Sequence, residues 1–530
     1  DEPLWPVLYW CVRCGDLGAA TVAARRVQGP GTADADEGAW APQPRAQLSA
    51  GAVAWPTASD DYGRWELALL GPNGAALAAP ATVWVAPTVD ARNVSPQLLS
   101  EEWGLPAIHL QMDDGDSPRQ SQRGATVTVR GQTVSGQAHV RGATSSGYAK
   151  QSYTLKFESA ELSIHEWHKK KTRNHLVLTT TFDDSSYVRQ KLIYDLWRAM
   201  ADHQGMHRLT PTTFFAVLYI NGRCPLPPPP SAPQPRLNRL LLLRLADTAL
   251  AFAQPDQGLY TGCDRIDDEF VRHSGFPSGE GNLYKAVSHD GNFALTRYRG
   301  GWGGGSGSTK RNLHSGYEKV EGPRNEWSDL DDLVQSLGGA SDAEVVEPGR
   351  FAIDIEEFMD WLILVSYSFS GDSAGKNSYL YHGDEGDGAL ADNFRFIPWD
   401  FNDSWGQQWQ TSRTDPTENQ DWTISHNRVF AALQRDSGAA ALLWQRFARL
   451  RADGPLNPAW LLATSTLLRP SENSAYFRFF LGSKPEALLR MSASASWLTS
   501  SGIGSSCFAS GELGGRALCF FSSSFCAFAA

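Results

Sequence analysis

Asp372, Asn377 and Asp400 are the residues of this chain whose types and spacing come nearest to a known kind of chemistry. A phosphoryl-transfer site needs an aspartate that orients or deprotonates the attacking hydroxyl, and an asparagine shortly after it for the metal ion. It also needs a second aspartate, beyond a hairpin, that holds Mg²⁺ against the phosphates. The chain supplies these three residues in this order. We therefore predict that Asp372 is the catalytic residue and that Asn377 and Asp400 are metal ligands.

The segments around these residues predict the elements that would position them. Apolar residues after Asp354, a candidate N-cap, recur at helical spacing, which predicts a buried helix that leads into the loop of Asp372. They are Ile355, Phe358, Trp361, Leu362 and Val365. Two apolar runs, at 378–381 and 394–398, then predict a hairpin that returns Asp400 to this loop. A second interpretation stays open, because Asp and Asn are also ordinary turn formers and Asp400 could be a surface carboxylate.

Further blocks of sequence occur in a fixed order along residues 108–450. They are V-R-G-A-T-S-S at 140–146, K-Q-S-Y-T-L-K-F at 150–157, D-S-S-Y-V-R-Q-K-L at 184–192, F-F-A-V-L-Y-I-N-G at 214–222, G-L-Y at 258–260, I-D at 266–267, G-N-L-Y-K-A at 281–286, K-N-S-Y-L-Y at 376–381 and F-I-P-W-D-F at 396–401. Together they resemble the signature of the CotH kinase family, the atypical kinases named for a spore coat protein. The resemblance implies a kinase-like bilobal fold that binds ATP and Mg²⁺ and phosphorylates protein hydroxyls.

The same blocks contain the residues that would contact the nucleotide. Residues 153–157 alternate between apolar and polar, which predicts a strand from whose polar face Lys156 could reach phosphates, as the lysine of a kinase strand does. Lys150, just before the strand, is an alternative contact, and either lysine could instead be a solvated surface charge. The resemblance adds Arg141 and Asp264 as cofactor-binding residues, with Asp264 where the family usually has Glu.

The composition is that of a large globular protein. The chain has 530 residues, of which 42% are hydrophobic and 11% aromatic, enough for a sizeable core and more than one structural unit. Its 58 acidic residues against 47 basic ones give a net charge of −11, which argues against nucleic acid as the main partner. We also expect no membrane span, because no apolar run is long enough to cross a bilayer.

Composition and periodicity divide the chain into five segments, and the expected fold class is α+β. Residues 1–37 are assigned no fold, and short β-prone runs at 38–98 predict a small β-sandwich-like module. Residues 105–425 form the CotH kinase-like domain that the resemblance implies. Helical spacing of apolar residues then predicts a helical C-terminal subdomain at 426–498, and the Ser-rich and Gly-rich stretch at 499–530 predicts a disordered tail.

A proline-rich insert at 223–257 interrupts the kinase-like domain. In the family the N-G turn and the G-L-Y strand lie a few residues apart, whereas here the insert separates Gly222 from Gly258. Proline cannot join a β ladder, so we expect the insert to loop out at the surface. An unexcised non-coding segment is a second hypothesis, which transcript sequencing across residues 222–258 would test.

The spacing of Asp372, Asn377 and Asp400, together with what the family resemblance implies, predicts an enzyme, a Mg-ATP-dependent atypical protein kinase that transfers the γ-phosphoryl group to Ser or Thr hydroxyls of a coat, surface or secreted protein. The alternative is a weak or inactive kinase-like scaffold that acts as a structural or surface-binding protein, since fold does not fix function. A third hypothesis keeps the nucleotide site but transfers another part of ATP. The expected partners are ATP and a protein substrate, and the expected location is extracellular or on a cell surface or coat. No signal peptide is visible in the chain, which begins at Asp1, as a fragment or a processed protein would.

Overall fold

The computed structural model describes the greater part of the middle of the chain. It covers most of residues 94–222, 258–295, 313–405 and 424–460, together with short strands in the first 85 residues. The insert at 223–257, the predicted tail at 499–530 and the part of the predicted helical subdomain after residue 460 lie outside the described residues.

Two compact units make up this structure, and their elements confirm the α+β fold class. The first unit draws on residues 1–180 and 214–263, and it contains β-sheets. The second draws on residues 181–213 and 264–466, and it contains a further sheet and the described α-helices. None of these helices is long and apolar enough to cross a membrane.

Two small sheets occupy the N-terminal part of the first unit. Their strands are β1 (Val7–Tyr9), β2 (Thr21–Gln28), β3 (Ala41–Pro42), β4 (Gln47–Ser49), β5 (Ala52–Ala54), β6 (Gly63–Leu70) and β7 (Ala81–Val85). They pair in the orders β1-β5-β4 and β3-β2-β6-β7. Strands β1 and β2 lie within residues 1–37, to which sequence reasoning assigned no fold, and they pair with strands from the segment at 38–98.

A closed barrel of seven strands forms the core of the first unit. The strands are β9 (Leu105–Met112), β10 (Arg123–Val129), β11 (Gln132–Arg141), β12 (Ser152–Phe157), β13 (His175–Thr179), β14 (Thr213–Ile220) and β15 (Leu259–Cys263), and β8 (Glu101–Glu102) pairs with the start of β9. Around the barrel the order is β9-β10-β11-β12-β13-β15-β14, and β14 returns to β9 in a parallel pair. Closure satisfies the edges of all seven strands. The sequence prediction did not include a closed barrel.

Alternating side chains fill this barrel. Tyr153, Leu155 and Phe157 of β12 are buried in its apolar core, whereas Lys156 between them is exposed. The strand predicted at 153–157 is therefore confirmed, with the predicted apolar face turned inward.

A five-stranded antiparallel sheet and seven described α-helices form the second unit. The strands are β16 (Asn282–Ala286), β17 (Leu313–His314), β18 (Tyr317–Glu321), β19 (Ser378–His382) and β20 (Arg395–Pro398), in the order β17-β18-β16-β19-β20. The helices are α1 (Arg189–Gln204), α2 (Asp268–His273), α3 (Ser328–Gly339), α4 (Asp342–Val345), α5 (Ile355–Ser368), α6 (Arg428–Arg435) and α7 (Ser437–Ala452). The pairing of β19 with β20 confirms the predicted hairpin.

Helix α5 supports the segment that follows it, and it begins as the sequence predicts. Asp354 is its N-cap, and the carboxylate accepts hydrogen bonds from two backbone N–H groups of the first turn, at 2.9 and 3.2 Å. Most of the helix is buried. Trp361 stacks on Phe396 of β20, with 4.1 Å between ring centroids, and meets Phe430 of α6 edge-on. The helix is thus wedged between the sheet and α6, which gives the following loop a rigid base.

A buried ion pair sets the start of α1 and accounts for part of the sequence block at 184–192. Asp184 is fully buried and accepts hydrogen bonds from the backbone N–H of Arg189, at 3.0 Å, and from the guanidinium of the same residue. Arg189 is the first residue of α1. Loss of either partner would leave the other charge buried, so this pair fixes the helix start.

Candidate active site

Three strand ends meet at one end of the second unit's sheet. The pairing register sets Ala286, the last residue of β16, opposite Ser378, the first residue of β19. It also sets Ser378 opposite Pro398, the last residue of β20. Three segments therefore lie at this end of the sheet. They are the loop after β16, the predicted catalytic loop before β19 (residues 371–377), and the segment after β20 that carries Asp400.

Asp372 lies in a short 3-10 helix, Gly371–Ser373, and three polar side chains surround its carboxylate. Asn377 Nδ2 donates a hydrogen bond to Oδ2 at 2.7 Å, Lys376 Nζ donates to the same oxygen at 3.0 Å, and His289 Nε2 lies 3.1 Å from Oδ1. Burial alone would raise the pKa of Asp372, but the contacts with His289 and Lys376 outweigh it and hold the pKa below the ordinary 3.8. The carboxylate is therefore ionised at neutral pH and fixed in orientation.

Asn377 and Asp400 share a backbone conformation that residues other than glycine seldom adopt, with φ of 59° at both. The backbone N–H of Asn377 donates to the carbonyl of Ala286 at 3.0 Å, and its Nδ2 is bonded to Asp372. Asp400 is exposed. Among the described residues no hydrogen bond joins Asp400 to Asp372 or Asn377. The structure thus brings Asp372 and Asn377 into contact and places Asp400 at the same end of the sheet.

The side chains of Asn377 and Asp400 fit a magnesium ion by their chemistry. The bond from Asn377 to Asp372 uses the amide nitrogen, so the amide oxygen, a hard donor, is the atom left to face a metal. Mg²⁺ is commonly bound by one or two carboxylates together with waters and substrate phosphates. Within the described part of the chain, no group of three or more His, Cys, Asp or Glu side chains could hold a metal. Asn377 and Asp400 therefore offer two oxygen donors, and a Mg²⁺ ion held by them would take its other ligands from water or a bound phosphate.

Distant segments of the second unit hold the predicted catalytic loop in place. Trp361 Nε1, from α5, donates to the carbonyl of Ser373 at 3.0 Å. Asn427 Nδ2 donates to the carbonyl of Ala374 at 2.6 Å. A Cβ atom at Gly375 would crowd a carbonyl oxygen of the loop after β16, so glycine permits this close approach. Two hydrogen bonds and one close backbone contact therefore hold this loop in position.

His289 and Asn427 are residues of this site that sequence reasoning missed. His289 follows β16 in a polar turn, and only the pairing of β16 with β19 shows that this turn lies beside the catalytic loop. Asn427 has the signal of a helix N-cap, and its Oδ1 accepts hydrogen bonds from two backbone N–H groups at the start of α6. Nothing in the sequence indicates that its amide nitrogen also binds the loop.

The predicted cofactor-binding residues of the first unit lie in different surroundings. Lys156 is exposed, on the side of β12 that faces away from the barrel core. Lys150 is only 4% exposed, and its Nζ donates to the carbonyl of Leu259 at 2.6 Å and lies 4.7 Å from the centre of the Tyr260 ring. Arg141 is half-buried at the end of β11. Lysine is seldom buried to this degree, which sets Lys150 apart from Lys156.

Asp264, the remaining predicted cofactor-binding residue, belongs to the second unit and directly follows β15. It is 2% exposed. Its carboxylate accepts a hydrogen bond from the backbone N–H of Thr212 at 2.8 Å, and its own N–H donates to the carbonyl of Thr212 at 3.3 Å. This reciprocal pair ties the residue after β15 to the segment before β14.

Comparison with known proteins identifies the family of this chain. The family described as CotH kinase protein matches residues 138–459, which is more than half of the chain. The chain belongs to this family. The inner spore coat protein H of Bacillus subtilis strain 168 is a similar protein, 21% identical over 253 residues. The matched region covers 48% of this chain and 56% of that relative, so the chain spans about half the length of the curated protein. The CotH match includes Asp372, Asn377 and Asp400.

Proposed function

We propose that this CotH family member is a Mg-ATP-dependent atypical protein kinase that transfers the γ-phosphoryl group of ATP to Ser or Thr hydroxyls of a coat, surface or secreted protein. The observation that carries the proposal is the ionised carboxylate of Asp372, which contacts Asn377 and lies at the same sheet end as Asp400. Family membership supports the same reaction class. A kinase-like bilobal fold, with the barrel unit and the sheet unit as its two lobes, is part of the proposal.

The chain's own residues would divide the work of phosphoryl transfer among them. Asp372 orients the acceptor hydroxyl and receives its proton. The three side chains around Asp372 fix the carboxylate before the substrate binds, so that little reorganisation remains when the hydroxyl arrives. Asn377 and Asp400 would hold Mg²⁺, which when bound offsets the charge of the phosphates.

Lys150 is the lysine that we assign to the nucleotide phosphates. Its ammonium group is buried against a carbonyl oxygen and an aromatic ring, a setting in which a cation gains most from an anionic partner. Lys156 is exposed, as an ordinary solvated lysine is. Arg141 and Asp264 remain proposed nucleotide contacts on the family resemblance.

A scaffold without catalytic activity is the second candidate function, and the name of the relative favours it. That relative is described as an inner spore coat protein. For this chain, association with a coat or cell surface is accordingly the location that we propose. A third candidate uses the same residues to transfer another part of ATP to a hydroxyl.

Mass analysis separates these candidates. The purified protein, alone and mixed with a Ser- and Thr-containing peptide library, is incubated with Mg-ATP. Addition of a phosphate to protein or peptide supports the kinase, whereas addition of a nucleotide-containing group would replace it with the third candidate. If the protein neither binds Mg-ATP by calorimetry nor gains mass, the scaffold is the correct function.

Two variants assign the roles within the site. Asp372→Asn keeps the size of the side chain but removes the proton acceptor, so we expect near-complete loss of phosphate transfer with Mg-ATP still bound. Asp400→Asn weakens the main metal ligand, so we expect Mg²⁺-dependent ATP binding itself to be lost. Wild-type transfer rates in Asp372→Asn, or unchanged Mg-ATP affinity in Asp400→Asn, would contradict the respective role.

A further inference from the structure

One side chain of helix α1 forms a hydrogen bond with the backbone of Asp400. The comparisons with known proteins give no role to this side chain. The N–H of Asp400 donates a hydrogen bond to the hydroxyl oxygen of Tyr194, at 3.1 Å. Tyr194 lies within α1 and is fully buried. The bond thus runs from the interior of a helix to the backbone of an exposed loop residue far away in the sequence.

This hydrogen bond is made by a residue with an uncommon backbone conformation. Asp400 has a φ of 59°, in the left-handed region, which a residue with a Cβ occupies at a cost, although the cost is smaller for Asp and Asn than for most residues. Its side chain is exposed, so side-chain packing does not support this conformation. A fixed acceptor for its N–H does, because the bond forms only in one orientation of the peptide group.

Tyr194 is itself held in position. Gln190, one turn earlier in α1 and 2% exposed, donates from Nε2 to the Tyr194 hydroxyl oxygen at 3.0 Å. The following turn of α1 is also fastened, because Trp197 Nε1 donates to the carbonyl of Leu209 at 3.2 Å. The hydroxyl therefore presents its oxygen from a rigid helix, as a positioning residue must.

We infer that Tyr194 is a positioning residue that holds Asp400 in its left-handed conformation and thereby presents the carboxylate to Mg²⁺. The metal-related part rests on the proposed function, whereas the hold on the backbone does not. Helix α1 would in this way control the metal affinity of the site without touching metal, nucleotide or acceptor.

Tyr194→Phe tests the inference, because it removes the hydroxyl and keeps the ring. The first measurement is amide hydrogen exchange of the metal-free protein, read on peptides that cover residues 395–405. We expect faster exchange there and no change on peptides that cover β19. The second is calorimetric ATP binding at a series of Mg²⁺ concentrations. We expect the half-maximal Mg²⁺ concentration to rise by roughly tenfold, the factor that corresponds to one lost buried hydrogen bond, with little change in kcat at saturating Mg²⁺.

Tyr367→Phe is the matched control. Tyr367 is also a buried tyrosine of the second unit, and its hydroxyl donates to the carbonyl of Leu456 at 3.2 Å. The same group is lost, so a general loss of stability would appear equally in both variants. The Mg²⁺ dependence should change in Tyr194→Phe alone.

Each outcome decides the matter. Unchanged exchange at residues 395–405 in Tyr194→Phe overturns the inference, whatever the activity. Faster exchange with unchanged Mg²⁺ dependence overturns the part that concerns metal presentation. If the wild-type protein binds no Mg-ATP but exchange still rises in Tyr194→Phe, the proposed function fails while the hold of Tyr194 on Asp400 stands.

Discussion

The barrel of the first unit and the strand ends of the second unit use left-handed residues for different purposes. In the barrel unit Arg130 and Asn221 have positive φ, and in each case a glycine that also has positive φ follows. Arg130 and its glycine form the tight turn between β10 and β11, whereas the side chain of Asn221 also bonds to backbone groups of residues 112–116 in the same unit. At the strand ends of the second unit, Asn377 and Asp400 have positive φ with no glycine after them. There the backbone N–H of each residue donates a hydrogen bond to another element of the unit, Asn377 to the last residue of β16 and Asp400 to Tyr194 of α1.

The two regions also differ in the charged side chains that their cores contain. The barrel core consists of apolar and aromatic side chains, and the buried cations Lys150 and Arg173 of the first unit are not part of that cluster. The second unit buries Asp360 completely, and it pairs there with Arg208 at 2.8 Å and Arg446 at 2.5 Å. The predicted catalytic loop of that unit contains Asp372, which is only partly buried, with 23% of its side chain exposed. Local rules agree with one another in the barrel and are overridden at the site, which is where function is expected.

Among the variants that test this difference between the two regions, we expect the largest effect on kcat from a substitution of Asn427. Asn427→Ser keeps an oxygen that can cap α6, since Ser and Asn are both good N-caps, but it is too short to reach the carbonyl of Ala374. The predicted catalytic loop would lose the hydrogen bond from Asn427 to Ala374. We expect kcat to fall by about a hundredfold, because displacements of about 1 Å can cost that much, with Mg-ATP affinity preserved.

Asp436→Ser is the control for this prediction. Asp436 is the N-cap of α7 and accepts a hydrogen bond from the backbone N–H of Ala439 at 2.8 Å, so the same serine is introduced at the next helix of the same unit. A thermal melt shows whether both proteins remain folded. Equal kcat values for the two variants would mean that the bond to Ala374 stabilises the fold without positioning the loop.

A smaller effect should separate the two lysines of the barrel unit. We expect Lys150→Met to raise the KM for ATP by about tenfold, the cost of one charge-assisted hydrogen bond to a phosphate, and Lys156→Met to leave it unchanged. Methionine keeps the length of the side chain and fills a buried site, so the melting temperature of each variant provides the check on folding. An increase in KM with Lys156→Met alone would restore the lysine of the strand as the phosphate contact.

Local signals in the sequence predicted a large part of the second unit. The cap at Asp354, the helical spacing up to Val365 and the two apolar runs of the hairpin are all patterns within a few residues, and each appears in the structure. The contact between Asp372 and Asn377 follows from the same short loop. Together these signals predicted a hairpin that returns Asp400 to the loop of Asp372, but they did not predict the sheet to which the hairpin belongs.

Pairings between distant segments were beyond this kind of reasoning. The barrel closes through the parallel pair of β14 and β9 and through the pair of β13 and β15, and strand alternation carries no information about which strands meet. The contacts of His289 and Asn427 with the catalytic loop have the same origin. Each contact depends on which distant segments of the chain pack against each other, and the spacing of side chains along one segment does not determine this.

The smallest expected effect on catalysis belongs to the barrel itself. A Cβ atom at Gly136 of β11 would overlap the carbonyl oxygen of Lys156 on the neighbouring strand, and backbone cannot move as a flexible side chain does. We expect Gly136→Ala to lower the free energy of unfolding by about 1–3 kcal/mol, the usual cost of an overpacked interior. Urea denaturation measures this loss.

Catalysis per folded molecule should survive this substitution. The register pairs Gly136 with Phe157 at one end of β12, whereas Lys150 precedes the other end, where Ser152 pairs with Arg141. The strain therefore enters the barrel away from the proposed phosphate contact. Gly339→Ala is the control, because a Cβ there meets nothing within 4 Å, and we expect its stability to stay within about 0.5 kcal/mol of wild type. If Gly136→Ala is as stable as Gly339→Ala, β11 and β12 are not packed as described. If kcat per folded molecule of Gly136→Ala falls together with its stability, the contrast between a structural barrel and a functional sheet end is wrong.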